Sequence, residues 1–374
     1  NHSCASTSWF QAFAPGIIIK NIATEENDSM NLYFAPLEGI GGYIYRNAQA
    51  DYFEKADKYF SPFLAPNQNR SISPKEYKDI APEHNEGIYL VPQIMANNAE
   101  VFLKAVQELE QLGYQEVNLN LGCPSRTVVT KYRGAGFLAK PDALEQFLEE
   151  VYGRINIRLS LKTRLGMEDE DEFEHLLEIY NKFPVRELII HPRVQTDYYK
   201  NKPRMEYFLK ALEISKNPVV YNGDIFTGDS YKQKLAQIFT TTVTHAENRT
   251  EAVKTSLPES NRNTVLESGK GKQLSAVMLG RGVLANPALF GEIRGTQALT
   301  KQRLWEFHER LLADYSQEMS GERNVLFKMK ELWFYLAWSF ENSEKYEKKI
   351  RKAQHLSDYR LVVRQLFTEL ELNV

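Results

Sequence analysis

From residue 30 to about 293, short runs rich in β-branched and aromatic residues alternate with longer stretches whose apolar positions recur every three or four residues. The short runs are LYFAP (32–36), YFSPFL (59–64), YLVPQIM (89–95) and EVNLNLG (116–122), followed by RLSLKT (158–163), ELIIHP (187–192), PVVYNGD (218–224) and AVMLG (276–280). The longer stretches are clearest in AEVFLKAVQELEQLG, where Val101, Ala105, Leu109 and Leu112 share one helical face and Gly113 follows as a stop. PDALEQFLEEVYG, DEFEHLLEIYNKF and RMEYFLKALEIS repeat the pattern. Such alternation predicts parallel βα units, and eight strands separated mostly by helices predict a (β/α)8 TIM barrel rather than an open sheet.

Three segments depart from this alternation. Residues 1–29 lack the basic and apolar regions of a signal peptide and are expected to lie outside the fold, with Met30 opening the first strand. About residues 240–273, 34 positions rich in Thr, Ser, Asn, Glu and Lys carry little apolar periodicity and predict a polar, disordered insertion. From 294 to 374 the pattern is wholly helical, predicting a small all-helical C-terminal domain after the barrel at 30–293. That tail holds KYEKKIRK (345–352), with five basic residues and one acid, suited to a phosphate backbone or simply to a solvated helix face.

Composition narrows the function classes. The chain is 43% hydrophobic and 25% charged, enough for a full core, and its net charge of -3 means that any nucleic-acid contact must be local. The longest aromatic-rich run, LWFYLAWSF (332–340), is about half of a membrane span, so no membrane partner is expected. The two cysteines, Cys4 and Cys123, are far apart, which argues against a disulfide framework or a thiolate zinc site and fits a reducing cytoplasm. HExxH, GxSxG and metal-spaced His–carboxylate clusters are missing, leaving metal hydrolysis and serine acyl transfer without support.

In such barrels the chemistry sits at the carboxyl ends of the strands. Polar residues gather there: Glu38 after strand one, Gln93 late in strand three, Asn120 and Cys123 closing strand four, and Lys162 and Arg164 ending strand five. His191 and Arg193 end strand six, Asn222 and Asp224 strand seven, and Gly280-Arg281-Gly282 strand eight. Cys123, in a Gly-Cys-Pro turn, is an acid weak enough to stay protonated near neutral pH yet able to protonate a carbanion. Lys162 suits either the anion of a reduced flavin or a Schiff base with a carbonyl substrate. The glycines and Arg281 at the last two strands mark the frequent barrel phosphate site.

The segments APLEGI (35–40), PQIMANN (92–98), NLNLGCPS (118–125), KYRGAGFL (131–138), LKTRLG (161–166), IIHPRVQTDYY (189–199), YNGDI (221–225) and AVMLGRGVLANP (276–287) together resemble the bacterial tRNA-dihydrouridine synthases. The resemblance implies FMN at the barrel mouth, NADPH as its reductant, and a helical tail that helps hold tRNA. It places Pro36, Leu37 and Glu38 at the flavin ring, Gln93 and Lys162 at its polar edge, and His191, Asn222, Gly223, Asp224, Gly280 and Arg281 along the ribityl and phosphate end. It also implies Cys123 as proton donor and Asn120 and Arg193 as contacts to uracil, with no metal. The insertion and the leader lie outside the family's pattern. Other readings of the residues are a flavin barrel acting on a small molecule, such as a dihydroorotate dehydrogenase, a Schiff-base lyase on Lys162, and a non-catalytic RNA binder.

Overall fold

The computed structural model describes residues 30–240 and 274–373; the expected leader at 1–29 and all but the first residue of the expected insertion lie outside the described residues. Eight parallel strands close into a barrel in chain order: β1 (Asn31–Phe34), β2 (Lys58–Leu64), β3 (Leu90–Ile94), β4 (Glu116–Leu121), β5 (Arg158–Thr163), β6 (Leu188–Ile190), β7 (Val219–Asn222) and β8 (Leu274–Leu279). β8 pairs back onto β1, so the barrel has no open edge. The first strand stops two residues short of Pro36, which has no N–H to give the ladder.

Helices α1 (Tyr43–Tyr52), α2 (Pro74–Ile80), α3 (Ala99–Gln111), α4 (Arg126–Val129), α5 (Pro141–Tyr152), α6 (Glu172–Tyr180), α7 (Met205–Ile214) and α8 (228–240) connect the strands. In α3 the Asn98 side chain caps the Val101 N–H at 3.0 Å, and Gly113 ends the turn at φ +93°. The buried stripe of α3 is Phe102, Ala105, Val106 and Leu109, so the predicted stripe is rotated: Val101 and Leu112 sit at its edges, only partly covered. The larger ring of Phe102 takes the core, edge-on to Phe147 at 5.5 Å.

Strand parity decides what faces inward, because successive side chains point to opposite sides. Tyr33, Phe60, Val91, Ile189, Val220, Ala276 and Met278 form an apolar cluster inside the barrel, separate from the shell between strands and helices. At the amino-terminal end this interior finishes in charge. Lys58 Nζ lies 3.1 Å from Glu116 and 2.8 Å from Glu187, and the Tyr33 hydroxyl donates to Glu187 at 2.6 Å.

Six further helices follow β8: α9 (Arg281–Ala285), α10 (Leu289–Arg294), α11 (Lys301–Glu318), α12 (Glu322–Leu336), α13 (Glu344–Lys352) and α14 (Leu356–Glu369). They share the barrel's outer core. Phe307 on α11 meets Tyr45 of α1 and Phe53 just beyond it edge-on at 5.6 and 5.4 Å. Within the tail, the Trp333 indole donates to the Tyr359 hydroxyl at 2.7 Å, and that hydroxyl lies 2.6 Å from His308 Nε2. Among the described residues no helix is long and apolar enough to cross a membrane.

Candidate active site at the carboxyl ends of the strands

The inward parity that fills the barrel with apolar side chains ends, at the carboxyl end, in polar ones. Gln93, Asn120, Lys162 and Asn222 are the last inward positions of β3, β4, β5 and β7, and His191 and Gly280 are the first beyond β6 and β8. The expected residues therefore converge because each strand keeps its period of two. Below Gln93 and Asn120 lies a buried amide ladder: Asn120 Nδ2 donates to Gln93 Oε1 at 2.7 Å, Gln93 Nε2 to Asn118 Oδ1 at 2.8 Å, and Asn118 Nδ2 to Ser160 Oγ at 2.9 Å.

The ladder continues into the Cys123 turn. The Asn120 side-chain oxygen accepts from the backbone N–H of Gly122 and of Cys123 at 3.1 and 3.0 Å. Arg164 Nε donates to the Gly122 carbonyl at 2.8 Å, and the Gln195 amide donates to Pro124 O at 3.0 Å. Behind the turn, Gly134 has φ +56°, and a Cβ there would sit 3.0 Å from the Cys123 Cβ. Glycine at this point of RGAG is therefore a packing requirement of the thiol-bearing turn. Cys123 is half-buried, and burial pushes its thiol above the usual range, against the lowering pull of Arg164 and Lys162. The thiol is protonated at neutral pH.

A cationic wall stands opposite. Lys162 is pulled down to about 7, first by burial and then by repulsion from Arg164, and among the described residues no carboxylate pairs with it. His191 Nε2 lies 2.8 Å from Arg193 Nη1. An arginine only donates, so Nε2 accepts, the ring is neutral, and its Nδ1 carries the proton. Burial, then Arg164, Lys162, Arg193 and Arg281, hold His191 well below its usual range.

Arg193 itself is fully buried, binds Asp224 through both terminal nitrogens at 3.1 and 2.5 Å, and donates through Nε to Asn201 O. Arg281 Nη2 also donates to Asp224 Oδ1, at 2.7 Å. Burial alone raises the Asp224 carboxyl, but these two arginines outweigh it and hold it below the usual carboxylate range. Tyr198 is fixed in a left-handed conformation, φ +51°, with its carbonyl held by Arg164 at 3.0 Å; its neighbour Tyr199 covers the Arg281 guanidinium at 4.4 Å.

These side chains enclose a cavity of about 440 Å³. Pro36, Leu37, Glu38, Gln93, Asn120 and Cys123 form one side, and Lys162, Arg164, His191 and Arg281 the other. Burial raises the Glu38 carboxyl above its usual range. A smaller recess of about 70 Å³ opens from the same wall between Asn222, Gly223, Asp224, Gly280, Arg281 and Gly282. Arg193 borders neither space, and in this structure its donors bind His191, Asp224 and Asn201, which supports the wall. Asn120 borders the cavity but turns its oxygen to the Cys123 turn. Among the described residues no cluster of His, Cys, Asp or Glu has the arrangement of a metal site.

Sequence patterning left the roles of two parts of this site open. Arg164 was visible in LKTRLG, but only the fold shows that it ties the Cys123 turn to the 194–198 loop. Phe334, Tyr335 and Trp338 of the tail complete the cavity wall. Their signal was the four-residue spacing of Phe334 and Trp338 within LWFYLAWSF, a run that reads as plain core until one side of it proves to be exposed.

The segment from 34 to 249 matches the family model for dihydrouridine synthase. The chain is 26% identical over 205 residues to tRNA-dihydrouridine synthase B of Vibrio vulnificus, covering 54% of this chain and 63% of that protein. It is 25% identical over 260 residues to tRNA-dihydrouridine synthase B of Pasteurella multocida, covering 69% and 67%, and 26% identical over 211 residues to tRNA-dihydrouridine(16) synthase of Pseudomonas syringae pv. tomato, covering 54% and 66%. The aligned part thus spans a little under two thirds of the length of the Vibrio relative. With more than half of its residues inside the matched model and the Cys123 turn, Lys162 and the two-strand glycine recess gathered at one barrel mouth, the chain belongs to the dihydrouridine synthase (Dus) family.

Proposed function

We propose that this protein reduces uridines of tRNA to 5,6-dihydrouridine in the cytoplasm, with FMN held in the cavity and NADPH as the reductant. The observation that carries the reading is a protonated thiol and a partly desolvated lysine, unpaired among the described residues, in the wall of one cavity. A volume of about 440 Å³ lies within the ~300–1,000 Å³ of small-ligand sites. The donor set fits an anionic, planar group: Lys162, Arg281 and the Nδ1–H of His191 donate from one side, and the apolar faces of Pro36 and Leu37 stand on the other.

When bound, FMN supplies the hydride that reaches carbon 6 of uracil. In this reading Pro36, Leu37 and Glu38 border its ring, and Gln93 and Lys162 face the polar edge, where the ammonium stabilises negative charge. Asn222, Gly223 and Gly280 leave room for the ribityl and phosphate end, His191 and Arg281 donate to it, and Asp224 fixes Arg281. Cys123 gives its proton to carbon 5. Asn120 acts through the Cys123 turn, and Arg193 acts through His191 and Asp224. Residues 294–374 hold tRNA, with Lys345, Lys348, Lys349, Arg351 and Lys352 of α13 exposed to a phosphate backbone. The target base leaves its stack to reach the cavity.

Incubating the purified holoenzyme with an unmodified tRNA transcript and NADPH is expected to yield one dihydrouridine per NADPH oxidised. NADPH oxidation without any dihydrouridine would overturn the reading and favour a small-molecule substrate. A second expectation concerns pH. Lys162, with a pKa of about 7, is neutral above that pH in the flavin-free protein, and an acceptor at the flavin's polar edge raises its pKa again, so binding takes up a proton. FMN affinity of the flavin-free protein should therefore weaken by up to about tenfold per unit between roughly pH 7.5 and 9, and Lys162→Met should flatten the profile. Fluorescence titration reads both; a flat wild-type profile would remove Lys162 from the flavin contact.

A further inference from the structure

We propose that the outward face of α12 is a track for single-stranded RNA, which grips the nucleotides beside the target uridine by stacking their bases on Trp338, Phe334 and Phe327. This rests on the uridine-reduction reading above and names where the nucleotides beside the target base lie.

The track starts in the sequence. Arg323, Phe327, Lys330, Phe334 and Trp338 are spaced by four, three, four and four residues, which places them on one face of α12 and of the 3-10 turn Ala337–Ser339 that extends it. The other face, Val325, Leu326, Met329, Leu332, Trp333 and Leu336, is buried against the tail and barrel. A helix that needed only this packing would turn charged residues to water. Instead Phe327, Phe334 and Trp338 are 52, 65 and 51% exposed.

Continuity with the site sets where the track leads. Phe334 and Trp338 also border the cavity that holds Cys123, and Trp338 lies 5.5 Å from Phe226, whose ring is 5.6 Å from the Arg281 guanidinium. From Trp338 the stripe runs back to Arg323, roughly 22 Å at the helical rise, enough for a few nucleotides. Charge identifies the occupant. Arg323 and Lys330 lie 5.4 and 5.8 Å from the Phe327 ring, and the acid on this side, Glu331, is neutralised by Lys328 at 2.7 Å. Rings interleaved with cations suit alternating bases and phosphates; a greasy peptide or lipid would want a continuous apolar strip. A base pulled from its stack leaves its neighbours exposed, and these rings replace the lost stacking.

The test compares two probes on the flavin-loaded enzyme: the trinucleotide ApUpA and uridine 3′,5′-bisphosphate. Both carry the target base and two phosphates, and only the first has flanking bases. Wild type is expected to bind ApUpA about tenfold or more tightly than the bisphosphate. Trp338→Ala with Phe334→Ala should bring that ratio near one, and Trp338→Tyr with Phe334→Tyr should retain it, since both rings are mostly exposed and the fold does not depend on them. A ratio near one in wild type, or one that survives the double alanine change, overturns the track. A fall in NADPH oxidation with the ratio intact also overturns it, assigning the rings to the reductant. Failure of wild type to reduce uridine in tRNA sinks the underlying reading instead, so the two failures are distinguishable.

Discussion

Replacing Cys123 by alanine is expected to lower dihydrouridine formation by about two to four orders of magnitude, the usual cost of losing a positioned general acid, while FMN stays bound and is still reduced by NADPH. The separation follows from geometry. The turn is held by backbone bonds to Asn120, Arg164 and Ala135, none of which uses the sulfur. The cationic wall that would hold the flavin comes from other strands. Because burial raises the thiol above its ordinary range, uridine reduction should also persist to a higher pH than an exposed cysteine would allow. Single-turnover reoxidation of the reduced enzyme by tRNA measures this directly. Loss of flavin in the alanine variant, or an unchanged rate, would demote Cys123 to a structural residue.

The second large effect lies at the opposite end of the barrel. Lys58→Met is expected to destabilise the fold by about 3–5 kcal/mol, because it leaves two buried carboxylates without their shared cation. Glu116 and Glu187 side chains are only 1 and 5% exposed, and Lys58 reaches both. Urea unfolding at about pH 7 reads the loss, and Glu116→Gln with Glu187→Gln in the Lys58→Met background should restore most of it. A loss under about 1 kcal/mol would show that the plug tolerates an open charge through water.

The tail changes how the alternatives are separated. Deleting residues 294–374 would strip Phe334, Tyr335 and Trp338 from the cavity wall and Phe307 from the shared core. Activity lost on deletion would therefore not distinguish a tRNA enzyme from a small-molecule one. Point changes at exposed positions keep the core intact and make that distinction.

Much of the barrel could be read without coordinates. Each strand is short and rich in β-branched and aromatic residues, each intervening helix shows its stripe, and the alternation leaves few topologies open. The cluster at the mouth was legible for the same reason: a side-chain period of two fixes which residue ends each strand facing inward, and Gln93, Asn120, Lys162, His191 and Asn222 follow from it. The exact stripe of α3 was not, because helical spacing alone does not say whether Val101 or Phe102 takes the centre; the neighbouring Phe147 decides that.

The sequence by itself determined the eight βα units and the polar residues that close them, since local periodicity needs only near neighbours. Tertiary structure alone decided that Arg193 binds His191 and Asp224, that Asn120 braces the Cys123 turn, and that a helix more than 200 residues downstream forms part of the same cavity. Such roles depend on where a side chain's donors and faces find partners across the fold, and residues distant in the chain supply those partners.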